Sequence, residues 1–210
     1  CADSWQRYIR HDFIRQLGAG TLPKTAFRHY LSQDYIFLIH FSRAYALAAY
    51  KSENLREIRQ AAETVTALAG HEMQLHISYC SELGISEVEL EKTPEAAANL
   101  AYTRFVLERG QAGDLLDLHV ALSPCVIGYA EIGQWLGQKV PATLSDHPYG
   151  KWIEMYSGDE YQAVASSAVT FLDQLDKRRG GDARFDSLAK NFKTATELEI
   201  GFWQMGLDAT

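Results

Sequence analysis

Between Thr21 and Lys51 the residues Phe27, Tyr30, Asp34, Phe37 and Phe41 recur in alternating steps of three and four. That spacing places all five on one face of an α-helix. An aromatic stripe of this kind has to be buried against other elements. The sequence offers no sheet to receive it, because no segment alternates apolar and polar residues convincingly and no hairpin signal appears. The chain is therefore expected to be all-α, with helix packed on helix. The stripe also carries a carboxylate at its centre, and a buried carboxylate is costly unless it is paired or hydrogen-bonded.

The remaining segments fit the same plan. Trp5 to Leu17 reads as one helix, stopped by Gly18 and Gly20, and Thr21-Leu22-Pro23 restarts the chain. Asn54 to Leu83 reads as a third long helix, with Glu72 and His76 set among Val65, Leu68, Leu75 and Tyr79. Ser86 to Lys92 is charged and reads as a connection, and Thr93-Pro94-Glu95 opens the next helix. Asp114 to Leu136 is helical with a break or kink at Ser123-Pro124. Val140 to Gly150 reads as loop and Lys151 to Tyr156 as a short helix. Ser157 and Glu160 have the spacing of a capping box for a helix reaching about Arg178. Phe185 to Met205 forms the last helix, with Phe185, Leu188, Phe192, Glu199 and Phe202 on one face. Glycine and proline mark joints, no linker is long, and residues 1–210 are expected to form a single-domain helical bundle.

The formal charge of -7 argues against sequence-independent nucleic-acid binding, which depends on neutralising phosphates. No apolar run approaches the ~20 residues that span a bilayer, and no signal sequence is visible. Cys1, Cys80 and Cys125 are odd in number and lack metal-like spacing, which fits free thiols in a reducing cytoplasm.

Candidate chemistry gathers at Leu122 to Gly133. Ser123 reads as a helix cap with Pro124 in the first turn, so that Cys125 lies where free amides and the helix dipole stabilise a thiolate. Tyr129 follows on the same face. Asp34, Glu72 and Glu199 on inward faces, with this thiol and many tyrosines, point to a polar pocket inside the bundle. Glu-x-x-His, the helical di-iron signature, does not occur. His71-Glu72 with His76 has the wrong spacing for two zinc ligands on one helical face. His29, His40, His119 and His147 read as surface or capping residues.

Taken together, several runs identify a family. Gly20-Thr21-Leu22-Pro23 is followed by Phe27-x-x-Tyr30-Leu31-x-Gln33-Asp34-Tyr35-x-Phe37-Leu38-x-x-Phe41-x-Arg43. Further on come Ser123-Pro124-Cys125-x-x-Gly128-Tyr129-x-x-Ile132-Gly133, Trp152-Ile153-x-x-Tyr156 and Glu199-x-x-Phe202-Trp203. In this order the chain resembles the TenA/thiaminase II family over nearly its whole length, in the branch that contains a cysteine. The resemblance implies a haem-oxygenase-like helical bundle, commonly a homotetramer, without haem, metal or other cofactor. It implies hydrolysis of thiamine, or of its degradation product aminomethylpyrimidine, to hydroxymethylpyrimidine. By the same resemblance Cys125 is the nucleophile and Glu199 the acid that serves the pyrimidine ring. Asp34 anchors the ring's amino group, while Phe37, Tyr102, Tyr129, Tyr156 and Phe202 line the cleft. Phe37 departs from the tyrosine that many members carry there. Two rival readings stand beside this one: a non-catalytic pyrimidine-binding regulator, and a different enzyme on the same fold.

Overall fold

The computed structural model describes residues 1–140 and 144–209, and every regular element among them is helical. In chain order the α-helices are α1 (Ala2–Ile9), α2 (Asp12–Gly18), α3 (Lys24–Lys51), α4 (Leu55–Thr66), α5 (Met73–Glu82), α6 (Glu87–Lys92), α7 (Ala97–Ala112), α8 (Leu115–Lys139), α9 (Gly150–Ser157), α10 (Asp159–Arg179) and α11 (Asp182–Asp208). A π-helical segment, Ala67–Glu72, joins α4 to α5. A single 3-10 turn, Leu144–Asp146, precedes α9. Part of the loop expected over Val140 to Gly150, residues 141–143, lies outside the described residues.

Helices α3, α7, α8 and α11 surround the centre of the bundle, with α1 and α2 against one side and α9 and α10 against another. Helix α8 is the most apolar element. It is long and apolar enough to cross a membrane by length and composition, contrary to the reading that no run approaches that size. Yet 72% of that stretch is buried inside the bundle, so its apolar surface is used in packing against neighbouring helices.

Several local expectations are corrected. Trp5 to Leu17 is two helices, because the chain turns at Arg10 and His11 Nδ1 accepts the amide of Phe13 to start α2. Ser86 to Lys92 is not a plain connection: Ser86 and Glu89 form a reciprocal capping box that starts α6. Thr93-Pro94-Glu95 does not open α7. That helix begins at Ala97, where Gln33 from α3 accepts the amide of Ala96 and donates to the carbonyl of Pro94. Ser157 ends α9 instead of capping α10, which starts after Gly158 without a side-chain cap.

Two glycines set the spacing around α8. A Cβ on Gly128 would fall 2.2 Å from the ring of Tyr8, and one on Gly133 would fall 2.3 Å from the backbone of Tyr156. These positions let α1 and α9 press against α8.

Candidate active site

Helix α8 runs unbroken through Ser123-Pro124, so Cys125 is in mid-helix and not in a first turn. The expected cap is absent for a physical reason. Pro124 cannot donate to the carbonyl of Val120 four residues earlier, and the Ser123 hydroxyl donates to that carbonyl instead, at 2.9 Å. The Pro124 carbonyl in turn accepts from the Tyr8 hydroxyl at 3.2 Å. Without a helix terminus beside it, Cys125 receives no dipole stabilisation. Burial pushes its thiol well above the usual cysteine value, and the carboxyls of Glu199, Asp34 and Glu72 push the same way. The expected ready thiolate is corrected to a protonated thiol.

The eight side chains singled out in the sequence come from α3, α7, α8, α9 and α11 and converge on one region. Glu199 is 1% exposed and accepts a 2.8 Å hydrogen bond from the Tyr102 hydroxyl. Tyr8 also bears on this carboxyl. Burial nevertheless raises Glu199 to about 8, with Asp34 adding to the rise. Asp34 is 8% exposed, and burial raises it to about 7. Phe37 stacks on Tyr102 with ring centroids 5.4 Å apart and meets Phe202 edge-on at 5.7 Å. Tyr129 lies 4.9 Å from Tyr156, and its hydroxyl is 3.4 Å from that of Tyr30. The Tyr30 hydroxyl also accepts from the indole of Trp152 at 3.2 Å.

Other expectations for the site region fare less evenly. Glu72 lies on the π-helical segment at the surface of the chain, although it is close enough to act on Asp34 and Cys125. Leu75 is exposed and leaves the stripe read for the third helix, next to the π-helical segment that shifts the helical phase, whereas Tyr79 beyond it packs against Phe27. Phe185 is 70% exposed and leaves the stripe of α11, which turns inward only from Leu188. His40 is not a surface residue. It is buried between α3 and α7, 2.9 Å from Arg104 and 3.4 Å from Glu95. His119 is packed between the rings of Tyr45 and Phe171, and burial lowers it to about 4. His147 does not cap α9, which has no side-chain cap: it accepts from the amide of Tyr149 in the turn before that helix, and its Nε2 lies 3.2 Å from the carbonyl oxygen of Gly18. Among the described residues, no three His, Cys, Asp or Glu side chains are grouped to hold a metal ion.

Sequence reasoning missed Tyr8 and Trp203 as parts of this region. Tyr8 was legible only as an apolar position of α1, and Gly128 is the signal that an aromatic ring has to approach there. Trp203 closes the floor, 5.2 Å from Tyr129 and 5.1 Å from Phe13.

An all-helical bundle that gathers aromatic side chains around two buried carboxyls and a thiol has the makings of a small-molecule site between helices. The chain belongs to the TENA/THI-4/PQQC family, whose model matches residues 1–209. An aminopyrimidine aminohydrolase of Halalkalibacterium halodurans is 38% identical over 202 residues, covering 96% of this chain and 89% of that protein. An uncharacterised protein of Haemophilus influenzae is 45% identical over 204 residues, covering 97% and 94%. Among solved structures, a TenA family transcription regulator from Silicibacter sp. TM1040 superposes with a TM-score of 0.91 at 55% identity, covering 97% of this chain and 91% of that one. A domain from Shewanella denitrificans described as having a heme oxygenase-like fold superposes with a TM-score of 0.76 at 13% identity, covering 99% and 88%. The fold is therefore haem-oxygenase-like.

Proposed function

We propose that the protein is an aminopyrimidine aminohydrolase of thiamine salvage, acting on aminomethylpyrimidine, and on thiamine as a second substrate, to give hydroxymethylpyrimidine. The observation that carries this reading is the joining of Cys125, Glu199 and Asp34 in one aromatic cleft. An aminopyrimidine is flat with polar edges. Phe37, Tyr102, Tyr129, Tyr156 and Phe202 can hold its faces while Asp34 takes its amino edge.

In the proposed reaction the Cys125 sulfur bonds to a ring carbon. Glu199 gives its proton to a ring nitrogen and takes the thiol proton in return, which suits a carboxyl held near 8 beside a raised thiol. The exocyclic carbon–nitrogen bond then breaks, releasing ammonia or the thiazole, and leaves an exocyclic double bond. Water adds to that carbon, giving its spare proton to the released amine or to solvent, and the ring-nitrogen proton returns to Glu199 as Glu199 protonates the expelled Cys125 sulfur, which restores the aromatic ring. Holding the reacting groups together removes much of the entropic part of the barrier.

The homotetramer and the cytoplasmic location are proposed on the same footing. Large apolar side chains stand exposed on α4, α5 and α10, among them Leu55 at 59%, Leu75 at 50% and Val164 at 51%, and other copies of the chain would cover them.

The test is chromatographic detection of hydroxymethylpyrimidine after incubating the protein with aminomethylpyrimidine or with thiamine. Cys125→Ala is expected to lose at least about 1,000-fold in turnover while still binding the product. Turnover near wild type in that variant would exclude the sulfur adduct. The absence of product from both compounds would exclude the function.

A further inference from the structure

His76 projects from α5 toward the middle of α3, and each of its ring nitrogens meets an oxygen there. Nε2 lies 3.0 Å from the carbonyl oxygen of Leu31, and Nδ1 lies 3.5 Å from Oδ2 of Asp34. A backbone carbonyl only accepts, so Nε2 carries the hydrogen and donates it. The thiol of Cys80, 3.5 Å from the same Nε2, flanks that bond. With the ring neutral, as burial favours by lowering His76 to about 4, Nδ1 is left with a bare lone pair. The lone pair faces a carboxyl oxygen, and both side chains are about a tenth exposed. Two bare acceptors facing each other away from water repel, whereas a proton on Oδ2 makes the same approach attractive.

The cation that reaches this cluster is Arg28, which acts on the Cys80 thiol and donates to the carbonyls of Leu83 and Gly84 rather than to Asp34. The ionisable groups acting on Asp34 from other elements are the carboxyls of Glu199 on α11 and Glu72 on the π-helical segment. The thiols of Cys80 and Cys125 also face it, as do the phenols of Tyr30, Tyr129 and Tyr156. None of these groups is a cation.

We infer that His76 is a positioning residue that sets what the cleft can recognise: its Nδ1 takes the carboxyl proton of Asp34 as a hydrogen bond, leaving Oδ1 as an acceptor only. The choice of ligand rests on the aminopyrimidine reading, but the placement of the proton does not. A protonated carboxyl free to rotate offers either a donor or an acceptor to its ligand. With the O–H held on His76 it offers only the acceptor. The cleft then takes a ring that presents an amino N–H at this edge and rejects one that presents an oxo group, which would leave two acceptors face to face.

Two measurements on the full chain test this. The first is nitrogen-15 spectroscopy of histidine-labelled protein without ligand, with the His76 signals identified by their loss in His76→Phe or His76→Gln. The expected result is the neutral ring with hydrogen on Nε2, persisting down to about pH 6, below the ordinary histidine value. A doubly protonated ring at that pH, or hydrogen on Nδ1, would overturn the proposal. The second is calorimetric titration with hydroxymethylpyrimidine and with its counterpart bearing oxo in place of amino. Wild type is expected to prefer the amino compound by at least about 100-fold, and His76→Phe by less than about tenfold. An unchanged preference in the variant would overturn the specificity role. Failure of wild type to bind either compound would sink the aminopyrimidine reading, and the spectra would still decide where the proton lies.

Discussion

Glu199 and Asp34 keep protons in the folded protein that an unfolded chain has already lost. Their ordinary values are 4.5 and 3.8, and burial raises them to about 8 and about 7. Folding therefore takes up protons in this range. The resulting stabilisation is full below the unfolded values and is lost as pH rises through the folded ones. For Glu199 alone, which is 1% exposed, the linkage amounts to on the order of 5 kcal/mol across the window. Glu199→Gln keeps the shape and removes the titration. Its melting temperature relative to wild type is expected to rise by several degrees between about pH 5 and about pH 8.5. Melting curves that move in parallel with pH would show that Glu199 does not titrate in this way. The position of this carboxyl was legible in the sequence because Glu199 interrupts an apolar stripe. Its hydrogen-bond partners were not, since Tyr102 and Tyr8 come from helices about 100 and 190 residues earlier in the chain.

At the scale of the helix, Ser123 and Pro124 form a unit. Proline removes one backbone donor from the middle of α8, and the preceding serine supplies a hydroxyl to the acceptor left open. Ser123→Ala should therefore cost about 0.5–1.5 kcal/mol in chemical denaturation, because a partly buried carbonyl loses its hydroxyl partner. In a Pro124→Ala background the backbone amide returns, and the same serine substitution should cost well under half as much. Equal costs in both backgrounds would separate the two residues. The residue pair itself reads as a helix start, since Ser-Pro is a common way to begin one. What overrides that reading is tertiary: Tyr8 donates to Pro124 from another helix, and apolar residues on both sides of the proline are buried in one continuous core. The same limit explains α7, whose start is fixed by Gln33 from α3, a residue more than 60 positions away. Helix number and order were largely readable because glycine and proline mark the joints, whereas helix ends set by distant side chains were not.

At the scale of the molecule, the exposed apolar side chains of α4, α5 and α10 predict association. Leu75→Glu combined with Val164→Glu is expected to shift the proposed tetramer to a smaller species in sedimentation, with the helical circular dichroism kept. A wild-type protein that sediments as a monomer would remove the tetramer. The inward face of the fold was legible from periodicity, but which outward apolar residues meet another copy is not written in the periodicity of one chain. A different consequence follows from the way α1 and α11 meet. Ser4 of α1 donates to Glu197 of α11 at 3.2 Å, and Tyr8 and Glu199 flank the same cleft. The site thus depends on contacts of very high sequence separation, formed late and slowly in folding. During synthesis from the N-terminus, α1 and α3 emerge with their aromatic side chains uncovered and wait for the seven helices that follow α3 before α11 arrives to cover them. A ribosome that stops before Glu199 therefore releases a chain that lacks both this buried carboxyl and the helix that closes the core. The proposed site therefore has no partly assembled stage, and the exposed aromatic surface of an unfinished chain would be recognised by the chaperones and proteases that survey such chains.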